Sequence, residues 1–154
     1  MSALSVESLV GTWELVDFHV TSSDGRAKRY PFGQEATGRI LYAADGHMMA
    51  VLSRGAVERK TGQLSSLETS HRAGADDKAA AFDSYLSYSG RWRLSDGQVH
   101  HEVDLALVPG VVGQIQSRVA VMHDGLLTLS YTRQSRRGIV HTFTLRWTRP
   151  GAPA

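Results

Sequence analysis

The sequence predicts an all-β protein, an antiparallel up-and-down β-barrel of eight to ten strands with one short helix, at about residues 76–87, covering an end. Three observations predict it. Four Asp-Gly dipeptides, Asp24-Gly25, Asp45-Gly46, Asp96-Gly97 and Asp124-Gly125, each separate β-capable runs, and Asp-Gly tolerates the positive φ that tight hairpin turns demand. The runs alternate in hydrophobicity with a period of two, which turns one face of each strand toward a core. One segment alone, beginning Asp76-Asp77-Lys78-Ala79, carries a helical pattern. A meander of this many sequential strands either closes on itself or leaves long edges open to aggregation, so closure is expected.

Each element has a local reason. Ser5 to Leu9 supports one helical turn capped by Ser5. The first strand runs from about Gly11 to Thr21, and simple alternation sets Trp13, Leu15, Asp17 and His19 on one face against Glu14, Val16, Phe18 and Val20 on the other. Neither face is clean, as in a barrel wall whose lumen is partly polar. Lys28 to Phe32, Gly38 to Ala43 and His47 to Arg54 are the next β runs. Arg54 to Gly74 is polar and reads as a long loop, either a functional lid or a disordered segment. In the helix that follows, acidic residues occupy the first turn, alanines favour the conformation, and Ala81, Phe82, Tyr85 and Leu86 form an apolar stripe. Gly90 to Leu94 and Gln98 to Leu107 make a hairpin about Asp96-Gly97, with Val99, His101, Val103, Leu105 and Leu107 inward and His100, Glu102 and Asp104 toward water. Gln114 to Met122, Leu126 to Thr132 and Ile139 to Thr148 complete the barrel. The expected organisation is one domain over 1–150 with a frayed tail at 151–154, since 154 residues suffice for a single core.

Bulk composition narrows the function. Seventeen Lys and Arg against fifteen Asp and Glu leave a formal charge of +2, too little for a strong field. The one basic cluster, Arg133 to Arg137, lacks an aromatic platform and reads as a solvated hairpin tip, so no nucleic-acid partner is expected. With no cysteine there is neither a disulfide framework nor a thiolate metal site. No segment approaches the roughly 18 apolar residues of a membrane helix, and MSALSVESLVGTW has no basic n-region followed by an apolar h-region. A cytoplasmic protein without a membrane partner is the expectation; oligomeric state is open.

The run Leu9-Val10-Gly11-Thr12-Trp13-Glu14-Leu15-Val16 is followed by Tyr30-Pro31-Phe32-Gly33, by Gly38-Arg39-Ile40-Leu41-Tyr42 with Asp45-Gly46-His47-Met48, and by Tyr85-Leu86-Ser87-Tyr88-Ser89-Gly90-Arg91-Trp92. With His101, the Gly113-x-x-Gln116-x-Arg118 spacing and Leu126-x-x-Leu129, these stretches resemble the bacterial and fungal lipocalin-like domain proteins over nearly the whole chain. The resemblance implies a calycin-type barrel around a small, largely apolar molecule, with Trp13 pointing into the barrel floor. Barrels of this kind serve both as carriers and as cyclases and isomerases of natural-product pathways, so the fold does not fix the function.

The candidate site follows from the faces. Gln114, Gln116 and Arg118 share one face of their strand, which is either exterior or a polar lumen; the family spacing favours the lumen, beside His101. There Arg118 would clamp an anion or carbonyl with Tyr88, and His101, with a pKa near neutral, would move a proton. Those three are the candidate catalytic residues. Asp17, His19, Tyr42, Met48, Trp92, Leu105, Gln116 and Phe143 are the candidate ligand contacts. For each there is a plainer alternative: an inward histidine satisfied in the core, an arginine in a structural ion pair, aromatics that only pack. No metal is expected, because His100 and His101 point to opposite faces and the other histidines lack ligand spacing. A serine nucleophile lacks its strand-to-helix elbow, and no glycine-rich phosphate loop is present, so no cofactor is expected. The function read from the sequence is binding of a small amphipathic or hydrophobic organic molecule inside the barrel. It carries two forms: a cofactor-independent cyclase or isomerase of a polyketide- or terpenoid-like intermediate, or a non-catalytic carrier. An interaction module built on the 54–74 loop, around a barrel filled by its own side chains, is the third reading.

Overall fold

The computed structural model describes residues 4–55 and 62–152. Residues 56–61 of the expected loop and 153–154 of the expected tail lie outside the described residues. The strands are β1 (Gly11–Ser22), β2 (Thr37–Tyr42), β3 (His47–Ser53), β4 (Tyr85–Ser95), β5 (Gln98–Ala106), β6 (Ile115–His123), β7 (Leu126–Gln134) and β8 (Val140–Thr148). Each pairs antiparallel with the next, and β8 returns to β1, which closes the barrel and leaves no sheet edge. Two helices accompany them, α1 (Val6–Leu9) and α2 (Ala75–Asp83).

Local chemistry sets the turns. Asp96 and Gly97 both take positive φ (52° and 72°), as do Asp124 and Gly125 (48° and 77°), the backbone of a two-residue hairpin turn matched to strand twist. Asp24-Gly25 turns the chain without starting a strand: the expected run from Lys28 to Phe32 makes only the single bridge from Val20 to Arg29. The expected helix to residue 87 stops at Asp83, where the Ser84 hydroxyl donates to Ala81 O. Tyr85 and Leu86 belong instead to β4, whose inward row is Leu86, Tyr88, Trp92 and Leu94. α2 stands beside the barrel end where β3 leaves and β4 enters; none of its residues is buried and none lines the interior.

Two β-bulges shift the faces. In β1 Leu15 pairs with Trp147 but Asp17 pairs with Arg146, so Val16 is an extra residue. In β5 Val103 pairs with Gly90 but Leu105 pairs with Ser89, so Asp104 is extra. Gly90 makes the second bulge feasible, because a Cβ there would lie 1.8 Å from the Glu102 carbonyl oxygen.

The end opposite α2 is closed by packing. Leu9, Trp13, Tyr42, Met48, Leu127 and Trp147 are all 1% exposed or less. Ser5 and Ser8 bond reciprocally to cap α1, the Trp13 indole donates to Leu9 O at 2.8 Å, and the Arg149 guanidinium lies 3.8 Å over the Trp13 ring. Arg149 donates to the carbonyls of Ser8 (2.8 Å) and Thr12 (3.4 Å). Gly11, at φ 117°, leaves room for it: a Cβ would come within 2.7 Å of Arg149 Nη1.

Candidate functional site

Cross-strand pairing builds the site. Directly opposed residues share a face, and His101 lies between Trp92 of β4 and Gln116 of β6, while Val99 lies opposite Arg118. Since His101 and Val99 are buried at 1% and 0%, Gln116 and Arg118 also face the lumen. Tyr88 enters from β4 and Tyr42 from β2.

At the centre is a three-membered hydrogen-bonded chain. Tyr42 Oη lies 2.8 Å from His101 Nε2, and Tyr88 Oη lies 2.8 Å from His101 Nδ1. Burial, with the positive charge of Arg118 and then His100, pulls the His101 imidazole down to about 3, so it is neutral at physiological pH. Burial likewise pushes the Tyr88 phenol up to about 12 and the Tyr42 phenol well above its ordinary range. The sequence-based expectation of an imidazole near neutrality fails for this reason: desolvation and the neighbouring positive charge both disfavour the cation.

Arg118 flanks this chain. Its Nη1 donates to Ser117 O at 2.9 Å and its Nη2 to Gln116 Oε1 at 3.3 Å, and its plane lies 4.1 Å over the Tyr131 ring. Tyr131 stacks flat on Phe143 at 4.7 Å; Phe143 meets Phe18, Phe18 meets Phe32, and Arg54 lies over Phe32 at 5.7 Å. An aromatic row thus crosses the open end of the barrel with a guanidinium at each extremity.

Between the aromatic row and the packed floor lies a cavity of about 80 Å³, lined by Tyr88, His101, Arg118, Tyr131 and Trp147 among apolar side chains such as Phe18 and Leu129. That is space for two or three waters, at about 30 Å³ each. Among the described residues no carboxylate lines it. The Trp147 indole N–H is buried without a hydrogen-bond partner among the described residues. A larger groove of about 480 Å³ lies beside Glu14, Gly38, Arg39 and Tyr85, and none of the site residues borders it.

A family model for the lipocalin-like domain matches residues 10–150. The chain belongs to the lipocalin-like domain family. No curated protein matches the chain. A lipocalin-like barrel suits a small hydrophobic ligand. Among the described residues no helix is long and apolar enough to cross a membrane, and no group of three or more histidines and carboxylates is placed to hold a metal.

The lipocalin-like barrel gathers only some of the residues expected from the sequence. Tyr88, His101 and Arg118 meet at the cavity, Gln116 holds Arg118, and Phe143 sits in the aromatic row. Tyr42 reaches the site only through His101. Met48 and Trp92 pack into the core without lining the cavity, and the Trp92 indole donates to Ala43 O. Asp17, His19 and Leu105 are outside. Beyond the Val16 bulge Asp17 faces outward and pairs with Arg146 and with His19, whose Nδ1 is 3.1 Å away; Arg146 holds the carboxyl below its ordinary range. Beyond the Asp104 bulge Leu105 is 69% exposed, and Ala106 pairs with Tyr88 in its place. Sequence reasoning missed Phe18, Tyr131 and Trp147. The Leu127, Leu129, Tyr131 alternation was the available signal for the second, while Phe18 was hidden by the bulge.

Proposed function

We propose that the barrel binds a small, largely apolar organic molecule head first, with an oxygen acceptor at its head in the 80 Å³ cavity and its tail leaving through the aromatic row. One observation carries this reading: the cavity has donors to spare and no anion. Arg118 has no carboxylate partner, among the described residues, in an otherwise largely apolar enclosure. A buried donor left unmade is costly, so a ligand oxygen placed there gains what the protein alone forgoes. The small volume supports a head group there rather than a whole ligand, since pockets for drug-sized molecules run to roughly 300–1,000 Å³.

A second reading has its own support. Donors converging on one oxygen stabilise negative charge that develops there, as in enolisation, so the same arrangement suits cyclisation or isomerisation of a polyketide- or terpenoid-like intermediate. In that form Arg118 and Tyr88 polarise a carbonyl and the barrel holds the chain in a reactive fold. A His101 held near 3 supports a hydrogen-bonding rather than a proton-shuttling role.

The test is native mass spectrometry of protein purified from its own host, followed by thermal titration with medium-chain carboxylates and 1,3-diketones. A bound or stabilising compound that loses roughly ten- to a hundredfold in affinity in Arg118→Met supports the reading. Stabilisation by none of the panel, or equal affinity in Arg118→Met, sinks it. Product formation abolished by Tyr88→Phe would select the catalytic form over the carrier.

A further inference from the structure

The Tyr42–His101–Tyr88 chain contains more information than its two distances. A neutral imidazole has one N–H and one lone pair, so it donates to one tyrosine and accepts from the other. Two proton orders satisfy the geometry. In one, Tyr88 donates to Nδ1 and Nε2–H donates to Tyr42; the Tyr42 O–H hydrogen is then left over. In the other, Tyr42 donates to Nε2 and Nδ1–H donates to Tyr88; the Tyr88 O–H hydrogen is left over instead.

The surroundings of the two hydroxyls differ. Tyr42 is wholly buried, does not line the cavity, and among the described residues makes no hydrogen bond but the one to His101. Its nearest ring partner is Trp92, at 4.7 Å, whose N–H is already engaged. A hydrogen left over there has nothing to bond, the arrangement that buried polar groups avoid. Tyr88 is only part-buried and lines the cavity.

We infer that the chain has a single proton order, Tyr42 Oη–H to His101 Nε2 and His101 Nδ1–H to Tyr88 Oη, which frees the Tyr88 hydroxyl proton for the ligand, with Tyr42 as the donor to Nε2 outside the cavity. Tyr88 then joins the Arg118 guanidinium, whose own bonds go to Ser117 O and Gln116 Oε1, as a second donor at the cavity. Two donors, one of them charged, select a negatively charged oxygen: an apolar carboxylate or the enolate of a 1,3-dicarbonyl. They exclude an amine. The last step rests on the binding reading above; the proton order does not.

The experiment has two arms, so the two ideas fail separately. The first reads the imidazole nitrogens of His101 by long-range proton–nitrogen NMR of the ligand-free protein, with His101→Gln assigning the signal. The expected result is a protonated Nδ1 and a bare Nε2; a protonated Nε2 overturns the inference whatever the protein binds. In Tyr42→Phe the donor to Nε2 is gone, but an Nε2–H would then face a phenyl ring with nothing to accept it, so the expected result is the same Nδ1-protonated tautomer. The second arm titrates octanoate and octan-1-amine. Tyr88→Phe should weaken octanoate roughly tenfold, since it removes the proton freed for the ligand, while Tyr42→Phe leaves that proton in the cavity and should change the affinity by no more than about twofold. A protonated Nε2 in Tyr42→Phe, an octanoate affinity unchanged in Tyr88→Phe, or amine binding equal to octanoate overturns it. Absence of octanoate binding together with a protonated Nδ1 would reject the oxyanion preference and leave the proton order standing.

Discussion

Each end of the barrel carries an arginine laid over an aromatic ring, and the two stacks are used differently. At the closed end Arg149 lies 3.8 Å from Trp13 and spends its hydrogens on carbonyls of α1 and β1, with tightly packed side chains behind the ring. At the open end Arg118 lies 4.1 Å from Tyr131, bonds to its own strand, and has a cavity and a neutral imidazole behind it. The same cation–π contact therefore seals one end and leaves the other able to receive something. Both guanidiniums find two acceptors within the fold, so what separates them is what lies behind the stacked ring, packed side chains at one end and a cavity at the other.

That contrast predicts unequal costs. Trp13→Ala removes a wholly buried indole together with its bond to Leu9 and the seat of Arg149, and should destabilise the barrel by about 3–5 kcal/mol. Phe143→Ala removes a part-buried ring from the aromatic row and should cost below about 2 kcal/mol. Urea unfolding of both variants measures the difference. Equal losses would mean that the open end is as tightly built as the floor.

The closed end was the more legible of the two. Gly11-x-Trp13 marks a place where only glycine admits an arginine, and the Asp-Gly turns declare their φ values, so the meander and its floor are written in local chemistry. The open end depends on register. One extra residue, Val16 or Asp104, exchanges the inner and outer faces for the rest of a strand, and nothing in the alternation says where it sits. In β1 the apolar positions pass from Trp13 and Leu15 to Phe18 and Val20, which is the trace of the bulge, and strict alternation misassigned Asp17 and His19 across it. His101 and Arg118 escaped because β6 and the stretch of β5 before Asp104 keep their phase. The ionisation of His101 was beyond any local pattern, since it follows from burial by strands distant in sequence.

Titration sharpens the comparison, because the folded barrel keeps His101 unprotonated at a pH where the unfolded chain does not. Unfolded, its pKa returns to about 6.5; folded, it stays near 3, so between these values the unfolded chain binds more protons. Stability is therefore intact above about pH 6.5 and falls with acidification, by roughly 3–5 kcal/mol across the window. Asp17, held low by Arg146, adds a loss of the same sign in the carboxylate range. Thermal unfolding against pH should show the decline beginning near 6, and His101→Gln should flatten it above about pH 4.5 while the Asp17 part persists. A wild-type profile flat from pH 7 to about 4.5 would contradict the buried neutral imidazole.

The smallest effect tests the bulge on which the faces of β5 depend. Val103 is 4% exposed on the inner face, and Leu105, two residues on, is 69% exposed on the outer face. Unbroken alternation would put both in the core and make a lysine ruinous at either. With Asp104 as the extra residue, Leu105→Lys only places an ammonium in water beside Ser89, and stability should change by no more than about 0.5 kcal/mol. Val103→Lys drives a charge into the barrel and should prevent folding or cost several kcal/mol, on the order expected for an unpaired buried charge. Ligand affinity of Leu105→Lys should equal that of the parent, since the side chain never reaches the cavity. A Leu105→Lys barrel as damaged as Val103→Lys would return Leu105 to the interior and, with it, shift the register that seats Tyr88 opposite Ala106.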